Sequence, residues 1–184
     1  MNFRKAREAG SGWNLFKTVC LIAVFWSVFL YLVPVQVMRL EAWIGWELWQ
    51  WPGQSVMAFA LFGVAGSGGI WSGVTMAVVG RGTPLPLDTA RELVVRGPYA
   101  WVRNPMAIAG LTQGAAVGTY FGSVLVWVYC VLGGFVWHIF VRPVEEDELA
   151  ARFGATYETY RSEVACWIPR RSAFVASRGP VTGE

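Results

Sequence analysis

Histidine is nearly absent. His138 is the single one in 184 residues and lies within an apolar run, so a His-based metal centre or a Ser-His-Asp triad has no ligands or base in the polar segments. Cysteine is scarce as well. Cys20, Cys130 and Cys166 make an odd set without metal spacing, two of them in apolar segments, which points to buried thiols and away from a disulfide framework or zinc site. The chain has no phosphate-binding glycine loop, dinucleotide fingerprint or nucleic-acid motif, and its basic residues do not gather on one face, so nucleotide hydrolysis and nucleic-acid binding are excluded. A secretory signal is missing too: the first apolar run, Val19 to Val37, is long enough to span and no small-residue cleavage site follows it, so it is expected to stay as a membrane helix.

What the chain has instead is apolar surface. Hydrophobic residues make up 55% and charged residues 15%, with 11 Trp and 11 Phe, a balance that fits an integral membrane protein and not a soluble domain. The expected fold is all-α, a polytopic membrane bundle of four transmembrane helices at about 15–38, 55–79, 106–118 and 122–141. Residues 1–170 read as one domain and 171–184 as a flexible tail. Met1 to Asn14 reads as a short basic arm, and Arg39 to Gln54, rich in tryptophan, as an interfacial connector without a pocket. Of the 15 Lys and Arg, only Arg39 falls on the expected outer side, which places both termini in the cytoplasm of a bacterial cytoplasmic membrane.

The longest polar-rich interval between apolar segments is Arg91 to Met106, punctuated by Gly97-Pro98 and Asn104-Pro105 and led in by Thr83-Pro-Leu-Pro86. A turn of this length between membrane segments is expected to carry chemistry. After the last span come Arg142, Glu145, Glu146, Asp147 and Glu148, then Leu149, Phe153, Tyr157, Tyr160 and Val164 at helical spacing. That spacing predicts one amphipathic helix over about 145–165, its acids at a helix N-terminus, stopped by Trp167-Ile-Pro169. A helical hairpin brings the Arg, Tyr and Asn loop and the Glu cluster together at one face. Carboxylates beside arginines there suit a zwitterionic or cationic ligand.

Gly97-Pro-Tyr-Ala-Trp-Val-Arg-Asn-Pro-Met106, with Glu145-Glu-Asp-Glu-Leu149, Phe153-Gly154, Tyr157, Tyr160 and Ile168-Pro169, resembles the isoprenylcysteine carboxyl methyltransferase and phospholipid methyltransferase superfamily over roughly 81–170. The resemblance implies a membrane enzyme that binds S-adenosylmethionine in a cytoplasmic pocket roofed by the loop and the C-terminal helix, while a lipophilic or small acceptor enters from the bilayer. Cofactor contacts would fall on Arg91, Glu92, Leu93, Val94, Tyr99, Asn104, Pro105, Met106 and Glu146. Arg103 would fix the loop or read a carboxylate, and Arg142 would orient an acidic substrate. A carboxylate or thiol acceptor reacts already ionised, whereas an amine must lose a proton, to Glu145 or to water. Two departures bear on the acceptor: Asn104 stands where the prenylcysteine enzymes have histidine, and Met106-Ala107 lacks the tyrosine common at that place. An NADPH-dependent membrane reductase of the sterol-reductase type, whose C-terminal half is similar, and a non-catalytic membrane protein that keeps the fold are the alternatives.

Overall fold

The computed structural model describes residues 11–81 and 91–175; positions 1–10 of the basic arm, the lead-in Thr83 to Pro86 and the tail from 176 lie outside the described residues, while Ser11 to Asn14, expected to belong to the arm, already form the start of the first helix. The architecture is helical throughout, with no strand among the described residues. Three helices are long and apolar enough to cross a membrane: Gly12–Trp43, Gln54–Val78 and Val124–Phe153. The third expected crossing is the shorter helix α4 (Pro105–Phe121), 17 residues, which packs between its neighbours. At 1.5 Å per residue it measures about 26 Å, less than a hydrocarbon core of about 30 Å.

The first helix runs without a break from α1 (Ser11–Phe25) through a π segment (Trp26–Leu32) into α2 (Val33–Trp43). Pro34 lies near the end of the span expected to stop at about residue 38. The structure carries helix past it to Trp43, because the wider π turn immediately upstream makes room where a proline ring would strike the carbonyl four residues back. The same device recurs in the last helix. There α5 (Val124–Val136) passes through a π segment (Trp137–Val141) into α6 (Arg142–Phe153), with Pro143 just beyond. Its apolar part, 124–141, measures about 27 Å, close to the hydrocarbon thickness, and the charges begin at Arg142, so α6 lies at and beyond the membrane surface.

That continuity corrects one expectation. The acids Glu145 to Glu148 do not sit at a free helix N-terminus, since the helix enters from the membrane. A second correction concerns the amphipathic helix, which is two helices: α6 stops at Gly154 (φ 51°, ψ −132°) and α7 (Ala155–Glu163) folds back from it. A side chain is strained at such a φ, so glycine sets the bend. Leu149, Phe153, Tyr157, Tyr160 and Val164 still share one apolar cluster, joined by Leu93, Ala100 and Phe174.

The helix α3 (Gln54–Val78) packs along α4 and α1 with Gly66, Gly69 and Gly73 inward: a Cβ on Gly69 would come within 3.2 Å of Ala109 Cβ, and one on Gly73 within 3.2 Å of Thr18 Cγ2. At the end remote from the loop, Glu41 is 1% exposed and accepts from Ser123 Oγ (2.5 Å) and Leu125 N (3.2 Å), closing the start of α5. Trp49 N donates to Gly122 O at 3.0 Å on the turn between α4 and α5. The tryptophan-rich connector, expected to have no pocket, lines one side of an apolar cleft of about 360 Å³ between Val35, Met38, Arg39, Trp46 and Phe121. Of the three cysteines expected to be buried, Cys130 and Cys166 are, while Cys20 faces outward from α1.

Candidate functional site

The polar loop reaches the end of the bundle through a 3-10 turn (Gly97–Ala100), entered at Gly97 with φ +58°. Gly97 sits against α3, where a Cβ would come within 3.0 Å of Thr75 Oγ1, so the close approach and the dihedral both call for glycine. Asn104 then caps α4, its Oδ1 accepting from Ala107 N at 3.2 Å, and Pro105 takes the first helical position. The Asn-Pro pair therefore starts a helix, and only the amide nitrogen of Asn104 remains for a ligand.

Arg103 is the bolt between the loop and the C-terminal helices. Its Nε donates to Val164 O (2.7 Å), its Nη1 to Glu146 Oε1 (2.5 Å) and to the Tyr157 hydroxyl (3.4 Å), and its backbone N to Ala165 O (3.0 Å). Glu146 is 6% exposed and also meets Arg142 (3.5 Å) and Arg161 (3.3 Å), so three guanidiniums converge on one carboxylate. Arg161 also meets Glu158 (3.7 Å), so the three guanidiniums face two paired carboxylates and keep one positive charge in excess. Burial works against the Arg103 charge, but Glu146 and Tyr157 together outweigh it and hold its pKa above the ordinary value.

Glu145 stands in contrast. It is half-buried and makes no hydrogen bond or ion pair among the described residues. Desolvation, then Glu146 and Glu148, push its pKa from 4.5 to about 7. Beside it, the fully packed Tyr99 hydroxyl has its pKa raised by burial and then by Tyr160 and Glu145, so both groups stay protonated more readily than in water. Tyr160 donates to Tyr99 O at 2.7 Å and thereby fixes the 3-10 turn.

The remaining expected residues are less gathered. Arg91 and Glu92 are exposed, with Glu92 paired to Arg81 at 3.5 Å. Leu93 packs on the tyrosine cluster and Val94 is buried, so their side chains face the protein. Met106 points back toward Gly73 on α3. Arg161 and Tyr157 were missed as site residues because their roles arise only when Gly154 folds α7 back; the Tyr-x-x-Tyr-Arg run was the one available signal. Residues 171–174, expected as the start of the flexible tail, dock on the loop together with Arg170: Arg170 N donates to Trp101 O and Phe174 N to Ala100 O, each at 2.8 Å. His138 accepts from Trp167 Nε1 at 2.9 Å, which ties this C-terminal segment to the last membrane helix.

An end built of arginines, one unpaired carboxylate and a buried tyrosine, above apolar helices, can hold a ligand carrying charges of both signs and can take up a proton. It offers no metal centre among the described residues. No curated protein and no solved structure matches the chain. The phospholipid methyltransferase family does, over residues 54–156, which covers α3, the loop, α4, α5, α6 and the bend into α7. That match takes in more than half of the chain and the carboxylates and Arg103 of the site, with helices apolar enough to embed it in a membrane. The chain belongs to the phospholipid methyltransferase family and is an integral membrane protein.

Proposed function

We propose that the protein transfers a methyl group from S-adenosylmethionine to a lipophilic or small acceptor at the loop end of the bundle, the end facing the cytoplasm, with both termini on that side. The observation that carries the reading is the unpaired Glu145 next to the three-arginine cluster on Glu146, inside the family-matched region. The donor set fits the cofactor. Glu145 suits an ammonium or sulfonium, the positive excess around Arg103, Arg142 and Arg161 suits a carboxylate, and the free amide nitrogen of Asn104 faces the same end.

The bound cofactor supplies an electrophilic sulfonium methyl, displaced in line, which asks for orientation and exclusion of water more than for a strong base. The protein's part is then positional. Arg103 holds the loop against α7, so that Tyr99, Asn104, Pro105 and Met106 keep their places relative to Glu146. The exposed Arg91 and Glu92 and the backbone of Leu93 and Val94 form the outer rim. Arg142 orients an anionic group of the acceptor. Glu145, with a pKa near 7, takes the proton when the acceptor arrives protonated.

The test is calorimetric titration of the detergent-purified protein with S-adenosylhomocysteine and with NADPH, on the wild type and Glu146→Gln. Saturable binding of the first ligand alone, weakened by the substitution, is expected. Binding of NADPH alone would replace this reading with a reductase, and binding of neither would leave a non-catalytic membrane protein.

A further inference from the structure

Two polar side chains on α1 have no partner. Asn14 is 2% exposed and Thr18 1% exposed, and Asn14 Oδ1 and Thr18 Oγ1 are both buried without a hydrogen bond. They are one helical turn apart and share a face. A polar group left unpaired in a membrane helix costs several kcal/mol in hydrocarbon, so such a pair calls for an explanation. The usual exit was open to Thr18. Ser67, Ser72, Thr75 and Thr119, also on membrane helices, each donate to the carbonyl four residues back. Thr18 does not.

Their position is informative. A Cβ on Gly73 would lie 3.2 Å from Thr18 Cγ2 and 3.8 Å from Met106 Cε, so Thr18 and Met106 converge on the same bare spot of α3. Two residues on, Thr75 meets Gly97 of the loop. Asn14 lies a further turn toward that end. The orphan pair is therefore on the membrane side of the candidate site, beneath Met106 and the 3-10 turn. The opposite face of α1 is apolar and outward, with Trp13 57%, Phe16 58% and Val19 57% exposed, so α1 separates the bilayer from the site. It also lies outside the family-matched residues 54–156.

We infer that Asn14 and Thr18 bind the polar head of the methyl acceptor, accepting hydrogen bonds from it as it passes from the bilayer to the loop end. This rests on the methyltransferase reading above. The two oxygens suit a head group that offers N–H or O–H donors, and neither residue is among those assigned to the cofactor.

Thr18→Val and Asn14→Leu remove the oxygens while keeping shape. The probe is the organic-extractable lipid of membranes from the expressing cells, reconstituted as vesicles, with labelled methyl from S-adenosylmethionine as the readout. Each variant is expected to raise the apparent KM for that lipid about tenfold, the size of one lost hydrogen bond, with S-adenosylhomocysteine affinity unchanged. Gln113→Leu removes another buried unpaired group, Nε2, deeper in α4 and serves as control. An unchanged KM in Thr18→Val and Asn14→Leu, with equal or higher thermal stability, would mean a buried water or a packing fault only. An equal rise in Gln113→Leu would mean general loosening; either outcome overturns the inference.

A second measurement does not need the acceptor. Thr18→Cys, with Cys20, Cys130 and Cys166 replaced by alanine, is treated with methanethiosulfonate ethylammonium. Reaction about tenfold faster than at Ala116→Cys, a site 1% exposed in packed α4, is expected of a position open to ligands. An unreactive thiol at position 18 sinks the inference whatever the cofactor does. Failure of the wild type to bind S-adenosylhomocysteine instead counts against the methyltransferase reading.

Discussion

Replacing Glu146 by Gln and replacing Glu145 by Gln change the same atoms at adjacent positions, and the structure requires opposite effects. Glu146 is 8% exposed at its side chain and Arg103 13%, so neutralising the acid leaves a guanidinium buried without its counter-charge. Breaking a buried pair from one side costs about 3–5 kcal/mol. Gln still accepts one hydrogen bond, and Arg142 and Arg161, at 26% and 42%, regain solvent, so about 3 kcal/mol is the expected loss. For Glu145 the sign reverses. Its folded pKa lies above the unfolded one, so the folded state holds the proton between about 4.5 and 7 and stability falls as pH rises through that window. The rise amounts to roughly 3 kcal/mol, reduced to about 1–2 kcal/mol by its partial exposure. Thermal unfolding followed by tryptophan fluorescence in one detergent, at pH 5 and pH 8, reads both. At about 2–4 °C per kcal/mol, Glu146→Gln should lower the midpoint by roughly 6–12 °C at pH 8. Glu145→Gln should raise it by about 2–8 °C at pH 8 and by little at pH 5. Shifts of the same sign at pH 8 would refute the assignment of one acid as paired and the other as unpaired.

Gly122→Ala is expected to destabilise by about 3 kcal/mol or more: the residue has φ +70°, and a Cβ would lie 1.9 Å from Trp49 O, a backbone atom of the connector. The same melt checks it, and a loss below about 1 kcal/mol would mean that the connector is not seated on this turn. Cys166 should react with a water-soluble maleimide far more slowly than a free thiol at pH 7.5. Burial raises its pKa and Arg103 only partly counters that, so rapid labelling would show an open C-terminal segment.

The loop was legible because its punctuation is local. Gly97-Pro98 and Asn104-Pro105 each specify a turn or a helix start from two residues, and the structure uses them that way. Two features of the helices were not legible, each for a physical reason. Gly154 interrupts a periodic run that continues on the same face beyond it, so sequence periodicity cannot tell a bent pair of helices from one straight helix; the bend is decided by packing of Tyr157 and Tyr160 on Ala100 and Phe174. Glu41, within the stretch expected to be an interfacial connector, is buried because Ser123 and Leu125, more than eighty residues away, supply its donors. Arg161 joins the site for the same long-range reason. Of the site residues expected from the resemblance, Arg103, Arg142 and Glu146 come together, while Arg91 and Glu92 stay at the exposed rim.

The π segment at Trp137–Val141 fixes more than the accommodation of Pro143. An α-helix advances about 100° in azimuth with each residue, and the wide turn takes up roughly one residue more than an α turn of equal rise. The phase of α6 relative to the membrane helix is thus a matter of counting. Deleting one residue from 137–141 would let the wide turn close to an α turn with Glu146 in place, whereas inserting one residue between Val144 and Glu145 would leave every motif intact yet swing Glu146 by about 100° away from Arg103. In this chain the number of residues between the last membrane turn and the acid pair is part of the site, as much as the identity of the acids.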